Sequence, residues 1–441
     1  MDGHLDSGAS SPGHSHSSSI SESDFSTPST ERSTLFSPSV EDLQPFEGHY
    51  IAIVGGLGYI GSHTCLELLK AGYNIIIIDN LSNSYRSVYD RLGTLAKSHY
   101  ETRCEPMPEM SLYEADYRDK TAITKILEEY VCPPVPSRFN IGDTGIASKI
   151  RGVIHFGAFK SVSESIQEPL KYYANNVAGL IEFCSILTSF NIKTFIFSSS
   201  ATVYGSLANS GQPLLEEYCT HQMESFTDHD GQIKTVDGGC TGLTNPYGRT
   251  KWMCEAILSD LALADPEWTI IALRYFNPVG CDESGLLGED PRGVPTNLMP
   301  VVLRVLTGLS PVLDVFGTDY PTPDGTAVRD FIHVTDLAKG HIAALSAASD
   351  GRVPNGFRTY NLGSGQGHSV MDVVGAVESV SSSRIPIREV ERREGDVGIC
   401  VAMPKRAETE LNWKTERSLN TCCKDVWNFL EKIKGQELPA V

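Results

Sequence analysis

Residues 51–69, "IAIVGGLGYIGSHTCLELL", contain the pattern that decides the fold. A β-type apolar run ends at Gly55, and the apolar residues that follow Gly61 have the spacing of an amphipathic helix. The glycines between them form a GxxGxxG turn, in which the backbone can turn tightly and approach a diphosphate at the helix N-terminus. The turn predicts a dinucleotide site built from Gly55, Gly58, Tyr59, Ile60 and Gly61.

Acidic residues end the next two predicted strands. Asp79 follows "NIIII", where a carboxylate can accept the two ribose hydroxyls of NAD and would repel the 2′-phosphate of NADP. Asp116, in "YEADYRD", can reach an adenine amino group or act only as a strand-terminal cap. The other cofactor contacts that we predict are Asn80, Phe156, Lys160 and Asn175.

Short apolar runs continue to alternate with helical periodicity further along the chain. The runs are "YIAIV", "NIIIID", "LYEADY", "GVIHF" and "TFIFSSS", with helices near 59–71, from 119 and, as one long helix, from about 163. Strands separated by helices indicate βαβ units and a parallel sheet. We therefore predict an α/β fold, a Rossmann-type doubly wound parallel sheet with a smaller C-terminal α/β substrate-binding lobe.

Changes in composition indicate the domain boundaries. Residues 1–46 are rich in Ser, Thr, Pro and Gly, which predicts a disordered tail. The NAD-binding domain is predicted at 47–277 and the substrate lobe mainly at 278–441, with isolated strands near 331 and 358. Two connections are longer than usual and are predicted to be surface insertions or lids, namely 131–149 and 206–243.

The chain of 441 residues carries a formal net charge of −19. A field of this sign repels a phosphate backbone, so neither nucleic acid nor an anionic membrane is an expected partner. No run approaches the ~20 apolar residues of a membrane span, and no signal-peptide layout is present, which predicts a cytoplasmic protein. The 11 cysteines are scattered without metal-ligand spacing, so we expect reduced thiols and no metal site.

A candidate acid/base pair lies in "NPYGRTK". Tyr247 and Lys251 are four positions apart and share a helix face, where an ammonium can stabilise a tyrosinate. Asn245 suits the N-cap and Pro246 the first turn, and the helix N-terminus favours the same ionised form. Ser200 ends the strand "TFIFSSS", so its hydroxyl and the phenol should meet at the carboxyl edge of the sheet.

The chain resembles the extended short-chain dehydrogenase/reductases and, among them, the UDP-glucose/UDP-galactose 4-epimerases. The resemblance runs from about residue 50 to 433 and is carried by "GGLGYIGSH", "IIDNLSNS", "VIHF", "ESIQEPLKYY", "SSSATVYG", "NPYGRTK", "LRYFNPVG", "GEDPRGVPTNLMP", "FGTDYPTPDGTAVRDFIHV" and "RREGD". It implies a tightly held NAD, a homodimer and reversible inversion at C4 of a UDP-hexose.

The resemblance also implies a role for each residue of the acid/base group. Tyr247 as tyrosinate removes the 4-hydroxyl proton while C4 gives a hydride to NAD, and Ser200 hydrogen-bonds the same oxygen. Lys251 lowers the tyrosine pKa and holds the nicotinamide ribose. The resulting 4-keto sugar turns over in the pocket and receives the hydride on its opposite face. Tyr275 lines up with a cofactor-side or sugar-side position and is assigned to the cofactor, although an aromatic residue in an apolar strand is usually part of the core.

Further positions match family residues that hold the UDP-sugar. Arginine suits the diphosphate because its planar fork can donate two hydrogen bonds to phosphate oxygens. The implied substrate contacts are Ser200, Tyr247, Asn277, Asn297, Leu298, Arg329, Arg393, Asp396 and Cys400.

Some positions depart from the family pattern. Cys400 stands where many bacterial members carry a tyrosine that crowds the C2 substituent of the sugar. The smaller residue suggests that N-acetylhexosamine nucleotides also fit, although a buried cysteine without a role in selectivity is the alternative. Val54, "HFGAFK" and Phe331 could each weaken a contact without touching the acid/base group.

Other functions are found on the same scaffold. Nucleotide-sugar dehydratases and decarboxylases typically place a carboxylate just after the strand that ends in serine, where this chain has Ala201 and Thr202. A UDP-xylose 4-epimerase would run the same cycle on a sugar that lacks C6, and this alternative stays open. A non-catalytic NAD-binding scaffold would often lose the tyrosine or the lysine, whereas this chain keeps both.

Overall fold

The computed structural model describes residues 48–133, 146–228, 230–293, 295, 297–393 and 395–436. The predicted tail and the central part of the 131–149 insertion lie outside these residues. The strands are β1 (Tyr50–Val54), β2 (Asn74–Asp79), β3 (Met110–Glu114), β4 (Ile150–His155), β5 (Thr194–Ser200), β6 (Glu224–Thr227), β7 (Ile233–Val236), β8 (Thr269–Tyr275), β9 (Asn277–Val279), β10 (Leu313–Phe316), β11 (Val328–His333), β12 (Phe357–Leu362), β13 (Gly367–Ser369), β14 (Ile387–Val390) and β15 (Ile399–Cys400).

The α-helices separate most of these strands. They are α1 (Tyr59–Lys70), α2 (Ser87–Glu101), α3 (Lys120–Glu128), α4 (Val162–Gln167), α5 (Pro169–Tyr172), α6 (Gly179–Ser189), α7 (Pro246–Ala264), α8 (Leu298–Leu306), α9 (Val334–Ser349), α10 (Val370–Ser381), α11 (Lys405–Glu410) and α12 (Leu419–Gln436).

Seven strands form one parallel sheet in the order β12-β8-β5-β4-β1-β2-β3. The β-branched runs of β1 and β2 pair from Tyr50–Asn74 to Val54–Ile78 and are almost entirely buried. They are buried because helices cover both faces, with α1, α2 and α9 on one side and α3, α6 and α7 on the other. The predicted doubly wound α/β fold is confirmed.

A smaller set of sheets lies in the C-terminal part of the chain. The strand β11 pairs with β13 in antiparallel fashion and with β9 and β15 in parallel, and β10 pairs with β14. Apolar residues of α8, α10 and α12 pack with these strands in one cluster. The segment 206–243, whose sequence shows no clear periodicity, contains the antiparallel hairpin β6–β7.

Two details of the predicted topology are wrong. The strand near 358 is not isolated, because β12 pairs with β8 along its whole length at the edge of the large sheet. The chain therefore returns to the first sheet after α9. The long helix predicted from about 163 is interrupted, since Glu168 precedes Pro169 and has non-helical dihedrals, and Tyr173–Ala178 is π-helical. A residue before proline is biased away from the helical region.

Candidate active site

The glycine turn between β1 and α1 has the geometry of a diphosphate cradle. Gly55 has φ of +75°, in the left-handed region that favours glycine. A Cβ on Gly61 would lie 2.3 Å from the Gly55 carbonyl oxygen, so only glycine lets α1 begin this close to β1. The N-cap, Gly58, provides no side-chain hydrogen bond, and the first turn of α1 has no acidic residue. The positive helix end is thus available to an anion, which fits NAD.

Asp79 connects the glycine turn to the loop that follows β2. Its Oδ2 accepts from the Leu57 N–H at 2.9 Å, and its Oδ1 accepts from the Leu81 N–H at 2.9 Å and from Ser84 Oγ at 2.8 Å. A carboxylate has roughly four lone-pair sites, and three are used here. Asp79 therefore shapes the loop as well as offering an acceptor to a ribose hydroxyl.

Asn80 and Asp116 meet at the carboxyl ends of β2 and β3. Asn80 Nδ2 donates to Asp116 Oδ2 at 3.0 Å, and the Arg118 guanidinium donates to both carboxylate oxygens at 2.9 and 2.7 Å. The hydrogen bond from Arg118 is the main reason that the pKa of Asp116 is lowered to about 2. The Arg118 N–H also donates to Oδ1 at 2.9 Å, so the carboxylate does act as a local cap.

A cleft lies beside the glycine turn, and its lining includes Leu57, Tyr59, Ser62, Ser84, Lys160 and Glu289. Lys160 Nζ is 3.7 Å from Glu289 Oε1 at this cleft. The Phe156 ring lies 4.9 Å from the His341 ring, and the Tyr275 hydroxyl hydrogen-bonds Nε2 of the same histidine. Tyr275 is thus held in the core beneath the end of β8, with its hydroxyl directed to α9.

Asn175 is buried in the π-helical segment, and its neighbour Asn176 was not predicted from the sequence. Asn175 Nδ2 donates to Asn176 Oδ1 at 2.9 Å. Asn176 Oδ1 also accepts from the Phe159 N–H at 2.9 Å, and its Nδ2 donates to Thr250 Oγ1 at 3.0 Å. The two asparagines therefore join the loop after β4 to helix α7.

Tyr247 and Lys251 lie one turn apart near the start of α7, and both are buried. Asn245 caps this helix with its side chain, as predicted. Ser200 at the end of β5 lies beside the Tyr247 phenol and acts to lower its pKa, and Ser200 Oγ accepts from Thr202 Oγ1 at 3.0 Å. Lys251 Nζ donates to the Ser198 carbonyl and, at 3.3 Å, to Ser198 Oγ. The three predicted acid/base residues are thus brought together at the carboxyl edge of the sheet.

Burial sets the protonation of this group. It raises the pKa of Tyr247 to about 12, and the hydrogen bond from Ser200 acts in the opposite direction. Burial lowers the pKa of Lys251 to about 8. The Lys251 ammonium donates to Ser198, and its lowering of the tyrosine pKa stays a prediction. The phenol is therefore protonated near neutral pH until further positive charge enters the pocket.

Four of the predicted nucleotide-sugar residues converge in the C-terminal lobe. Arg329 on β11 is paired with Cys400 on β15, and its guanidinium lies 3.9 Å from Asp396 Oδ1. Arg393 Nε donates to Asp396 Oδ2 at 3.0 Å, and its guanidinium lies 4.6 Å from the centroid of the Phe316 ring. Two arginines share one carboxylate, so the cluster keeps a net positive charge that suits a diphosphate.

The remaining predicted substrate residues lie at element ends. Asn277 begins β9, opposite Phe331 of β11. Asn297 is the N-cap of α8 and donates to Glu289 Oε1 at 2.9 Å, and Leu298 is the first helical residue. Through Glu289, Asn297 is linked to the cleft that Lys160 also lines.

A buried ionic group that was not predicted from the sequence lies behind α7. Glu255 and Arg274 have side chains with 0% exposure, and Arg274 Nη2 lies 2.7 Å from the Glu255 carboxylate. His221, from the 206–243 segment, reaches the same carboxylate at 2.8 Å. Glu255 extends the four-residue spacing of Tyr247 and Lys251, and a buried charge must be paired. This spacing was the available signal, although it could not identify the partners.

Among the described residues, no helix is both long and apolar enough to cross a membrane. Within the same residues, no group of three or more histidine, cysteine, aspartate or glutamate side chains could hold a metal ion. All 11 cysteines are free thiols.

Two family profiles match the chain. The profile of the NAD dependent epimerase/dehydratase family matches residues 143–363, and that of GDP-mannose 4,6 dehydratase matches residues 52–136. The UDP-glucose 4-epimerase of Bacillus subtilis is 42% identical over 379 residues, which are 86% of this chain and 96% of that protein. The UDP-glucose 4-epimerase of Homo sapiens is 41% identical over 379 residues, 86% of this chain and 95% of the human protein.

Solved structures show the same similarity. A UDP-glucose-4-epimerase from Stenotrophomonas maltophila with bound NAD and formylated UDP-arabinopyranose has a TM-score of 0.73 and 36% identity, over 88% of this chain and 99% of that one. The UDP-glucose 4-epimerase from Bifidobacterium longum with NAD+ and UDP has a TM-score of 0.70 and 38% identity, over 87% and 98%. A UDP-Glc/GlcNAc 4-epimerase from Campylobacter jejuni has a TM-score of 0.62 and 29% identity, over 87% and 99%.

Proposed function

The chain belongs to the NAD-dependent epimerase/dehydratase family and, within it, to the UDP-glucose 4-epimerases, and we propose that Tyr247 is the acid/base residue with which it interconverts UDP-glucose and UDP-galactose. The observation that carries this assignment is the placement of Ser200, at the end of β5, beside the buried Tyr247, with Lys251 one turn further along the same helix. When bound, NAD supplies a positively charged ring that accepts the C4 hydride and returns it to the opposite face of the 4-keto sugar.

Each residue of the acid/base group has a distinct task. Tyr247 takes the proton of the sugar 4-hydroxyl and returns it after inversion. Ser200 donates a hydrogen bond to the oxygen of the sugar 4-hydroxyl, whose charge changes in the reaction. This hydrogen bond holds the oxygen beside the phenol of Tyr247. Burial raises the pKa of Tyr247 to about 12, so the tyrosine becomes a base only when the pocket contains added positive charge. Lys251 contributes a positively charged ammonium, which its hydrogen bond to the Ser198 carbonyl holds in position.

We assign the cofactor to the first sheet and the nucleotide-sugar to the lobe. The glycine turn receives the diphosphate of NAD, Asp79 and Asn80 the adenosine ribose, Asp116 the adenine, and Lys160 and Asn175 the nicotinamide side. The NAD-binding part comprises 47–277. It also includes α9, which packs on the large sheet, and β12, which extends that sheet. The rest of 278–441 holds the UDP-sugar.

The cluster around Asp396 supports a diphosphate and sugar site in the lobe. Arg329 and Arg393 hold the diphosphate, and Cys400, on the strand beside Arg329, faces the sugar. Cys400 is half-buried and packs in an apolar cluster with Phe276. A thiol is much smaller than a phenol, so we assign N-acetylhexosamine nucleotides as further substrates.

Four of the exposed apolar residues, Ile166, Leu170, Ile181 and Met253, support a homodimer. They lie on α4, α5, α6 and α7 with exposures of 40%, 80%, 46% and 37%. Apolar side chains of this size on neighbouring helices are expected to be covered by a partner. A second copy of the chain is the proposed occupant, and sedimentation of the parent and of Leu170→Glu tests it, with a monomeric parent as the contrary result. We place the protein in the cytoplasm, where free thiols persist.

The reaction is tested with UDP-galactose, UDP-N-acetylgalactosamine and UDP-xylose in separate incubations, with products identified by NMR. We expect C4-inverted products from the two hexose nucleotides. Inversion of UDP-xylose alone would assign a pentose 4-epimerase instead. The absence of any inverted product from all three would contradict the assignment.

A further inference from the structure

A fully buried ion pair lies directly behind the acid/base residues. Glu255 follows Tyr247 by two turns and Lys251 by one turn on α7. Arg274 on β8 donates to both carboxylate oxygens, from Nε to Oε1 at 3.1 Å and from Nη2 to Oε2 at 2.7 Å. Such a bidentate pair fixes the orientation of both side chains.

The other donors of Arg274 are also used. Nη1 donates to the Tyr204 hydroxyl at 3.1 Å and to the Glu216 carbonyl at 3.0 Å, and Nη2 also donates to the Cys219 carbonyl. The guanidinium thus has a partner in every direction, which offsets the cost of burying its charge. The pair is therefore a rigid anchor that joins β8 and the segment after β5 to α7.

Glu255 has two further contacts, and one of them leads toward the reactive groups. Its Oε1 accepts from Ser199 Oγ, and Ser199 is the residue before Ser200 on β5. Its Oε2 lies 2.8 Å from His221 Nε2. Holding Ser199 against Glu255 of α7 therefore fixes the β5 backbone that carries Ser200, the next residue along the strand.

We infer that Glu255 is a positioning residue for the epimerisation, because its hydrogen bond with Ser199 sets the placement of Ser200 against Tyr247. The inference rests on the proposed C4 epimerisation. Arg274 keeps the carboxylate in place, and His221 lets the 206–243 segment support it from the far side. Tyr247 and Glu255 share one helix, so the phenol and the serine strand are held by a single rigid element.

The sharpest test is Ser199→Ala, which removes the connection to the strand and leaves the ion pair intact. We expect kcat to fall about tenfold with KM unchanged within about twofold, since a misplaced hydroxyl affects the reacting oxygen more than binding. The acid limb of the kcat profile should also move up by about half a pH unit, because a weaker hydrogen bond from Ser200 lowers the pKa of Tyr247 less. Loss of structure alone would lower the melting temperature without moving that limb.

Two further variants keep the test decisive. Ser199→Cys keeps the side-chain volume with a weaker donor, and should give an intermediate kcat and an intermediate shift of the limb. Ser259→Ala is the matched control, because Ser259 is a buried serine one turn after Glu255 that accepts from Gln222 Nε2 at 3.1 Å and should leave kcat unchanged.

The possible results separate the two proposals. If the parent is active and Ser199→Ala and Ser199→Cys keep the parental kcat and pH profile, the positioning role is wrong. If Ser259→Ala reproduces the losses of Ser199→Ala, the effect is not specific to the Glu255 connection, and the inference is again wrong. An inactive parent would instead overturn the proposed function.

Discussion

The Lys251 ammonium donates to the main-chain carbonyl of Ser198, which ties the lysine of the acid/base group to the carboxyl end of β5. The ammonium also lies 4.7 Å from the centroid of the Phe197 ring. These contacts hold a positive charge in a buried site, and burial lowers the pKa of the lysine to about 8. The ammonium therefore lies close to the reacting groups. Its burial lowers the unfolding free energy by an amount that can be measured.

Lys251→Met should remove the rise in unfolding free energy that the buried lysine causes as the pH increases into the alkaline range. The folded-state pKa of about 8 is below the 10.5 of a free lysine, so the unfolded chain binds more protons between these values. The parent should therefore gain roughly 2 to 4 kcal/mol of unfolding free energy relative to Lys251→Met between about pH 7.5 and 10.5. Urea unfolding of both proteins across this range measures the difference. A difference that stays constant with pH would show that the lysine is not perturbed.

Tyr247→Phe should abolish most activity without unfolding the protein. A positioned general acid/base contributes roughly 100 to 10,000-fold, and phenylalanine keeps the ring that packs in the pocket. The kcat with UDP-galactose and the melting temperature check both parts. Retention of more than about a tenth of the activity would assign the proton transfer to another group.

Gly61→Ala should destabilise the fold and weaken NAD binding. The added Cβ would lie 2.3 Å from the Gly55 oxygen and 2.9 Å from Gly56 Cα, so β1 and α1 would have to separate. We expect a loss of roughly 2 to 4 kcal/mol. Gly375→Ala is the matched control, because its Cβ would meet nothing within 4 Å on α10 and should stabilise by about 0.5 to 1 kcal/mol. Similar unfolding curves for the two variants would contradict the packing argument.

Arg329→Met should weaken UDP binding about 10 to 100-fold, because charge-assisted hydrogen bonds to a diphosphate would be lost. Calorimetric titration with UDP measures the change. Arg388→Met is the control, since Arg388 is an exposed arginine that pairs with Asp314 at 2.7 Å on β10, outside the proposed site. Equal UDP affinity of both variants would remove Arg329 from the substrate site.

Cys400→Tyr should reduce turnover of UDP-N-acetylgalactosamine more than about tenfold while UDP-galactose turnover changes little, because the phenol would occupy the space of the acetamido group. Cys400→Ser keeps the size of the side chain, so this variant should turn over both UDP-sugars. The ratio of kcat/KM for the two nucleotides is the measurement. An unchanged ratio in Cys400→Tyr would leave the cysteine without a role in selectivity.

Local determinants explain why much of the fold and site could be predicted from the sequence. The strand, the glycine turn and the helix at 50–70 depend on neighbouring residues, and so does the spacing of Tyr247 and Lys251 on a capped helix. The pairing of strands that are far apart in the chain could not be predicted in this way. The return of β12 to the large sheet depends on β8, which is far away in the chain.

The protonation states of the site residues could not be predicted from the sequence either. Spacing indicates that Tyr247 and Lys251 are neighbours, but the pKa of each depends mainly on burial, and the pKa of Tyr247 depends also on Ser200. Glu255 and Arg274 could be identified as a pair only once α7 and β8 were placed side by side. His221 comes from a segment without periodicity, so no pattern connected it to them.

Conversion of UDP-galactose in D2O, followed by proton NMR, tests the proposed return of the C4 hydrogen to the sugar. We expect UDP-glucose that carries protium at C4 in every product molecule, because the hydrogen removed from C4 stays in the pocket and returns to the same carbon. Tyr247→Phe should form little of this product. Deuterium at C4 of the product, or UDP-galactose left unchanged by the parent protein, would contradict it.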